Sequence, residues 1–160
     1  LLIAKNYSTS SYLGKELMKR NMLKKYYALL IGTLDKNIIE IETRITKDIK
    51  NKKMIIDNNL GDDAYTKITL LKQYESFCLV EVEIETGRTH QIRLHAASIG
   101  HPVAGDRKYN INDFKANIKS VGLKRTFLHA HYISFYFKEK YEFILDLPNE
   151  LKEVLSKLED

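Results

Sequence analysis

The side chains best suited to chemistry are gathered in residues 85–95, which read Glu-Thr-Gly-Arg-Thr-His-Gln-Ile-Arg-Leu-His. Within this segment, Arg88 and Arg93 can bind anions, and His90 and His95 can donate or accept protons. Such a cluster can form a site for a negatively charged ligand. The same spacing is also typical of a solvated, basic helix start, so on its own it leaves both interpretations open.

A helix is predicted for most of this segment, because an apolar, β-branched run ends at Ile84 and Gly87 follows it. If Thr86 or Thr89 caps the helix, the N–H groups of its first turn point at any bound anion. Helical spacing places His90, Arg93 and Ala97 on one face, and Arg88, Ile92, His95 and Ile99 on another. We therefore expect one arginine to face a pocket while the other meets solvent or a phosphate.

Other kinds of reactive site have little support in the sequence. The five histidines include no helical His-x-x-x-His pair, and the single cysteine, Cys78, lies in an apolar run that favours a small buried side chain. The sequence contains neither a Gly-x-Ser-x-Gly elbow nor a glycine-rich phosphate loop. Asp106 is the best nearby carboxylate, although its place in Gly-Asp-Arg-Lys-Tyr favours a turn residue. We therefore predict a site without a metal ion.

Basic and aromatic residues are combined next to each other in the run Lys24, Lys25, Tyr26 and Tyr27. Basic groups pair with phosphates and tyrosine rings stack on bases, so this combination suits RNA. The formal net charge of +5 at pH 7 agrees with a polyanionic partner. A moderate excess of this kind also serves solubility, so the charge supports RNA binding without deciding it.

Length and composition predict one domain covering residues 1–160. A chain of 160 residues with 44% hydrophobic content can bury a single good-sized core. No apolar run approaches the roughly 18 residues of a membrane span, and no signal-peptide pattern occurs. We therefore expect a monomeric protein of the cytoplasm.

Hydrophobic periodicity predicts an α+β fold, in which a mostly antiparallel sheet is flanked by a few helices. The predicted strands are residues 25–34, 39–45, 64–74, 77–84, 127–137 and 141–147. Helices are predicted from the serine-rich cap at residues 8–11 to about Asn21, from the 85–95 segment to Gly100, over 112–119, and from Asn149 onward. The last of these carries a core stripe of Leu151, Val154, Leu155 and Leu158.

Two further segments have distinctive patterns. Residues 47–53 carry four lysines, which favours a solvated loop over the alternative of an arm that follows phosphates. Residues 1–4 read Leu-Leu-Ile-Ala, as in a strand already under way. We therefore expect the chain to have been cut from a longer protein, with part of its fold missing in front.

Four separated motifs resemble the RluA-type family of pseudouridine synthases. The first is residues 85–109, where Thr-Gly-Arg-Thr-His-Gln-Ile-Arg is highly specific for the family. The others are the Lys-x-Tyr-x-Ala-Leu strand at residues 24–29, the Arg-x-x-Leu-His-Ala strand at 125–130, and the Leu-Leu-Ile-Ala-Lys start at 1–5. The resemblance covers essentially the whole chain and implies the fold of that family's catalytic domain, truncated at its N-terminus.

The resemblance also implies roles for individual residues. The family's catalytic aspartate belongs to an Arg-Leu-Asp motif that would lie just before Leu1, and it is not in this sequence. Tyr26 matches the active-site tyrosine that lies against the base, and Arg93 matches the arginine that holds the aspartate ionised. The implied substrate-binding residues are Lys24, Arg88, His90 and Leu128. Without the aspartate, we expect Arg93 in this chain to be exposed or bound to an anion, and Arg93→Met to be nearly neutral for stability.

Two functions follow from these observations. The first is an RNA pseudouridine synthase, which needs neither a cofactor nor a metal and acts on ribosomal or transfer RNA. The second is an RNA-binding module without catalytic activity, which is what this chain would be without its aspartate. An Arg-Leu-Asp motif upstream of Leu1 would favour the enzyme.

Overall fold

The computed structural model describes residues 2–109 and 121–159, which form one antiparallel sheet with helices on both faces. Those residues contain seven strands and three helices. In chain order they are α1 (Tyr7–Met18), β1 (Leu23–Ile31), β2 (Ile38–Asp48), β3 (Lys53–Ile56), β4 (Asp62–Gln73), β5 (Phe77–Ile84), α2 (Gln91–Ser98), β6 (Leu128–Phe137), β7 (Glu139–Ile144) and α3 (Asn149–Ser156). The strand order is β3-β2-β4-β5-β1-β6-β7. This architecture confirms the predicted α+β class.

Alternation along the inner strand β1 divides the interior into two cores. Ala28 and Leu30 join the core on one side of the sheet, and Tyr26 packs against it. Leu29 and Ile31 join the core on the other side. The strand therefore buries both of its faces, as an inner strand of the sheet must.

The first core lies beneath α2, and we call this side of the sheet the α2 face. Helix α2 contributes Ile92 and Ala96, which pack against Val80, Val82 and Ile68 of the neighbouring strands β5 and β4. Complete burial of an isoleucine or valine side chain contributes about 1.5–3 kcal/mol to folding. Gly100 ends the helix with a φ of +84°, which confirms it as the predicted residue after the helix terminus.

The second core lies beneath α3, on what we call the α3 face. Leu151 and Val154 of α3 are buried there with Leu29 and Phe127, while Leu155 and Leu158 pack at its margin. The predicted apolar stripe of this helix is therefore confirmed as core packing. Beyond α3, the same face of β5 carries Glu81 and Glu83, which are partly exposed.

The N-terminal residues depart from their prediction. Residues 2–4 form no strand in the structure. The cap of α1 is Asn6, whose side chain accepts a hydrogen bond from the N–H of Thr9, so the predicted cap in the serine cluster at residues 8–11 is wrong. Asparagine competes well with serine at this position because its short side chain reaches the same N–H groups.

The lysine-rich segment 47–53 is less irregular than expected. It contains the end of β2, a turn, and the start of β3, which pairs with β2 in a hairpin. The sequence pattern missed β3 because four residues are too few to show a period. The helix predicted at 112–119 lies outside the described residues. No helix within residues 2–109 and 121–159 has both the length and the apolar character of a membrane span.

Candidate active site on the α2 face

Helix α2 is anchored at its start by the buried side chain of Gln91. Its Oε1 accepts hydrogen bonds from the Thr86 hydroxyl (2.7 Å) and from the N–H of Arg88 (3.1 Å), and its Nε2 donates to the carbonyl of Tyr65 (2.8 Å). The N-cap position is His90, whose side chain makes no capping hydrogen bond. Neither Thr86 nor Thr89 therefore caps the helix, because the Thr86 hydroxyl is engaged by Gln91 and the cap position falls one residue after Thr89.

His95 ties the middle of α2 to the sheet. Its ring nitrogens lie 2.8 Å from the hydroxyls of Thr66 and Thr43, and the residue is fully buried. Burial lowers the pKa of His95 to about 4, since a charged imidazole would lose its hydration. A neutral imidazole satisfies both hydroxyls, so His95 serves the packing of α2 rather than an anion site.

Arg93 has a carboxylate partner within this chain. Its Nε and Nη2 each donate to an oxygen of Asp106 at 2.7 Å, in the fork geometry typical of strong arginine pairs. The Asp106 side chain is fully buried and that of Arg93 is 21% exposed. The expectation that Arg93 would be exposed or anion-bound is therefore wrong, because the loop after α2 brings Asp106 back beneath it.

The backbone around Asp106 is built to hold that carboxylate. Burial alone would raise the pKa of Asp106, but hydrogen bonds from Arg93 and from the N–H groups of Lys108 and Tyr109 bring this pKa below its ordinary value. Gly105, with a φ of +76°, makes the turn, and a Cβ at this position would collide with the carbonyl of Arg125. The prediction of a turn at Asp106 is confirmed, but its role as the partner of Arg93 was missed.

Tyr109 completes the network around Arg93. The guanidinium carbon of Arg93 lies 5.2 Å from the centre of its ring, within the range of a cation–π contact. Its hydroxyl lies 2.9 Å from Nδ1 of His90 and accepts a hydrogen bond from the N–H of Met54 in β3 (3.1 Å). Tyr109 was not predicted as a site residue, and the Gly-Asp-x-x-Tyr spacing is the sequence signal that could have identified it. Arg93 and His90 therefore both contact Tyr109, although His90 is the left-handed N-cap residue and does not lie on the predicted helical face.

Arg88 lies before α2 and is separated from this network. Its Nε donates to the carbonyl of Asp63 (3.0 Å) and its Nη1 lies 3.5 Å from Asp62, with the side chain 38% exposed. Arg88 and His95 therefore share no helical face, contrary to the prediction, because the helix begins at Gln91.

Three further predicted residues lie on the α2 face. Tyr26 and Leu128 pack against its core, and burial raises the pKa of the Tyr26 hydroxyl. Lys24 precedes Tyr26 by two residues in β1 and is only 8% exposed. Among the residues that the structure describes, its Nζ has no hydrogen-bond partner, and burial lowers its pKa.

The arrangement can bind and orient an anionic or aromatic ligand, but it does not present a free carboxylate. Both oxygens of Asp106 are engaged by Arg93. Over the described parts of the chain, no three His, Cys, Asp or Glu side chains are placed to hold a metal ion. Tyr26 packs against the α2-face core from β1, and Arg93 belongs to α2, whose Ile92 and Ala96 form part of that core.

Comparison with known proteins identifies the family of this chain. The family model described as RNA pseudouridylate synthase matches residues 1–98, a span that includes both Tyr26 and Arg93. The chain belongs to the RNA pseudouridylate synthase family. The resemblance inferred from the four sequence motifs is thereby confirmed.

Individual relatives extend the match over the whole chain. An Aquifex aeolicus protein named "Uncharacterized RNA pseudouridine synthase" is 35% identical, over 100% of this chain and 53% of its own length. The Haemophilus influenzae protein named "Ribosomal large subunit pseudouridine synthase C" is 33% identical, over 100% of this chain and 51% of its own. The chain thus spans about half the length of the curated relatives it matches.

Solved structures agree with this family assignment. Human RNA Pseudouridylate Synthase Domain Containing 1 superposes with a TM-score of 0.76 at 25% identity, covering 91% of this chain and 62% of its own. Human RNA Pseudouridylate Synthase Domain Containing 4 gives a TM-score of 0.80 at 21% identity, covering 96% and 69%, and supports the fold alone. The seven-stranded sheet is therefore the fold of pseudouridylate synthase domains.

Proposed function

We propose that the whole protein to which this chain belongs isomerises uridine to pseudouridine in RNA. The observation that carries the proposal is the family match over residues 1–98, which includes both Tyr26, packed against the α2-face core, and Arg93 of α2. In this reaction the bond between N1 and C1′ breaks, C5 bonds to C1′, and a proton leaves C5 while one is gained at N1. The balance involves no net oxidation or reduction, so the proposal includes no cofactor.

The target base is stacked in RNA and must be extruded into a pocket, at a cost of a few kcal/mol. We assign Tyr26 to the wall against which that base lies. Because burial raises its pKa, Tyr26 is a neutral phenol at pH 7 and fits this packing role directly. We also assign to Tyr26 the removal of the C5 proton, for which it must first pass its own proton to another group.

We assign Arg93 to the orientation of the catalytic aspartate that the family resemblance places upstream of this chain. Its Nε and Nη2 are used by Asp106, so the upstream carboxylate would meet the guanidinium at Nη1. A guanidinium beside a carboxylate favours the ionised form of the acid. In this arrangement Asp106 positions Arg93, and Arg93 positions the catalytic group.

Three further residues are assigned to RNA contacts. Arg88 is partly exposed at the edge of the site and suits a backbone phosphate. His90 is linked to Tyr109 and helps to shape the pocket, and Leu128 supplies part of its apolar wall.

We further propose that the protein acts as a monomer in the cytoplasm, and that it binds RNA through phosphates.

Relatives named for the ribosomal large subunit lead us to propose ribosomal RNA, rather than transfer RNA, as the substrate. The test is incubation of the whole protein with unmodified ribosomal and transfer RNA, followed by mapping of pseudouridine. Modification at a ribosomal site is expected. Modification of transfer RNA alone would contradict the choice of substrate, and no pseudouridine on either RNA would contradict the activity.

Tyr26→Phe and Tyr27→Phe form a matched pair of variants for this assay. Tyr27 lies on the α3 face, stacked on His131 with ring centres 3.7 Å apart. We expect Tyr26→Phe to lower turnover about 100-fold or more, the scale of a lost proton-transfer group, and Tyr27→Phe to change it little. RNA affinity should be retained in both variants.

The alternative function, an RNA-binding module, is favoured for the 160-residue chain alone because both oxygens of Asp106 are taken up by Arg93. This chain should bind RNA without turnover. Its affinity should fall about tenfold or more from low to moderate salt if several phosphates are contacted. Turnover by the chain itself would contradict the assignment of the catalytic carboxylate to a residue outside it.

A further inference from the structure

Lys24 is a buried cation beside a cavity. The residue is 8% exposed, and within the described residues its Nζ has no hydrogen-bond partner. The cavity has a volume of about 290 Å³ and lies between α1, the N-terminal residues and the sheet. Apart from Lys24 and Ser10, the described residues that line it are apolar or glycine, and they include Leu2, Leu13, Leu17 and Ile133.

A lysine in such a place is costly unless something accepts its hydrogen bonds. An ammonium group removed from water loses several kcal/mol of hydration, which a counter-ion and its hydrogen bonds must offset. The ion pair between Arg93 and Asp106 on the same face shows the usual solution, since the buried Asp106 carboxylate is held both by Arg93 and by backbone N–H groups. Lys24 therefore marks a site for an anion that the described residues do not supply.

The lining of the cavity selects the kind of anion. A phosphate group is strongly hydrated and is usually held by several donors, whereas Lys24 is the one charged group in this lining and Ser10 the one hydroxyl. A side-chain carboxylate can be satisfied by one ammonium and a hydroxyl, and an apolar wall suits the rest of its peptide segment. The relatives are about twice as long as this chain, so such a segment is available in the whole protein.

We propose that the cavity between α1 and β1 binds an Asp or Glu side chain from the part of the whole protein beyond these 160 residues, which forms an ion pair with Lys24. This gives Lys24 a protein partner in place of the RNA contact that the family resemblance implies. The ion pair would lock the additional segment against the α2 face. It does not require the proposed isomerase activity.

Urea denaturation of the 160-residue chain and of the whole protein tests the proposal through a change of sign. In the chain, Lys24→Met removes a buried charge that has no partner among the described residues, so the urea midpoint should rise. In the whole protein the same substitution leaves a carboxylate without its partner, so the midpoint should fall. Lys36→Met, at an exposed position, is the matched control and should shift neither midpoint. A Lys24→Met shift of the same sign in both proteins would overturn the proposal.

Titration of the lysine side chains by carbon-13 NMR provides a second test that does not depend on the stability of a variant. Lys24→Arg serves only to assign the Lys24 signal. The Lys24 amine should titrate below the other lysines in the chain and at or above them in the RNA-free whole protein. An identical titration in the two proteins, or an upward shift that requires added RNA, would overturn the proposal. Neither measurement uses pseudouridine formation, so failure of the proposed reaction would be seen separately.

Discussion

Lys24 and Lys25 are adjacent in β1 but lie on opposite faces of the sheet, and their surroundings are opposite in character. The Nζ of Lys25 donates to Glu81 at 2.8 Å and lies 3.7 Å from Glu83, and the hydrogen bond to Glu81 raises its pKa. Lys24 has no such partner in the described structure, and burial lowers its pKa. The charged form of lysine is thus stabilised by carboxylates at position 25 and destabilised by burial at position 24.

The difference follows from how each face obtains its charged partners. On the α3 face, partners come from the neighbouring strand, since β5 carries Glu81 and Glu83 opposite Tyr27 and Lys25. His131 joins the same group, with its Nε2 3.0 Å from Glu81. On the α2 face, β5 is apolar, so charged partners must come from helices, loops or segments outside the sheet. Arg93 finds such a partner in Asp106.

The largest expected effect comes from disrupting the ion pair between Arg93 and Asp106 on the α2 face. Arg93→Met should destabilise the chain by about 3 kcal/mol or more, because a fully buried carboxylate loses its cation. Urea denaturation of the variant measures the effect. Arg125→Met, which breaks the exposed pair with Glu150, is the control and should cost less than about 1 kcal/mol. Equal, small losses in both variants would mean that burial does not distinguish the two pairs.

A pH titration of stability should show the next largest effect. The pKa of His95 is about 4 in the folded chain, against about 6.5 when unfolded. Because the folded pKa is depressed, the unfolded state binds the extra proton first, and stability should fall by about 3 kcal/mol as pH drops from 6.5 to 4. Asp106, whose folded pKa is also lowered, adds a further loss as pH falls through the usual range of carboxyl groups.

The variant His95→Gln should flatten the slope between pH 6.5 and pH 4, since glutamine does not titrate. His131→Gln on the α3 face is the comparison. The pKa of His131 is also lowered by burial, but the neighbouring Glu81 opposes that change. Most of the slope should therefore survive in the His131 variant. A slope that disappears equally in both variants would contradict the assignment to His95.

Lys25→Met should have a smaller effect, a loss of about 1 kcal/mol, because its side chain is 27% exposed and the pair is partly screened. The loss should occur in both the 160-residue chain and the whole protein, since the partners Glu81 and Glu83 lie within the chain. Urea midpoints of both proteins measure it. A gain of stability in either one would show that the α3-face carboxylates do not stabilise Lys25.

The smallest expected effect is that of Arg88→Met, at about 0.5 kcal/mol, because its contact with Asp62 is exposed on both sides. Thermal or urea unfolding of the Arg88→Met and Arg93→Met variants, measured under the same conditions, compares their free energies of unfolding. The two arginines of one motif should then differ several-fold in their contribution to folding. If Arg88→Met were the more destabilising variant, Arg88 would have to be treated as a packing residue instead of a surface contact.

Much of the fold could be predicted from local sequence. The alternation of Tyr26, Ala28 and Leu30 with their neighbours places β1 correctly between two cores, and the hairpin of β4 and β5 has the predicted bounds to within two residues. Residues 2–4 and the cap of α1 were predicted wrongly. Short runs of apolar or hydroxyl-bearing residues are compatible with several local structures, and contacts with the rest of the fold determine which structure forms.

The sequence by itself therefore determined the α+β class, the position of α2 and its end at Gly100, and the family, because periodicity, turn residues and motif spacing are local properties. The tertiary structure alone decided the charged partners. Arg93 meets Asp106 across 13 residues because a glycine turn returns the chain beneath α2. Within the described residues Lys24 lacks a partner, because the neighbouring strands β5 and β6 offer only apolar side chains on that face. Pairing of charges depends on which backbone segments meet in space, and no local pattern of residues encodes that meeting.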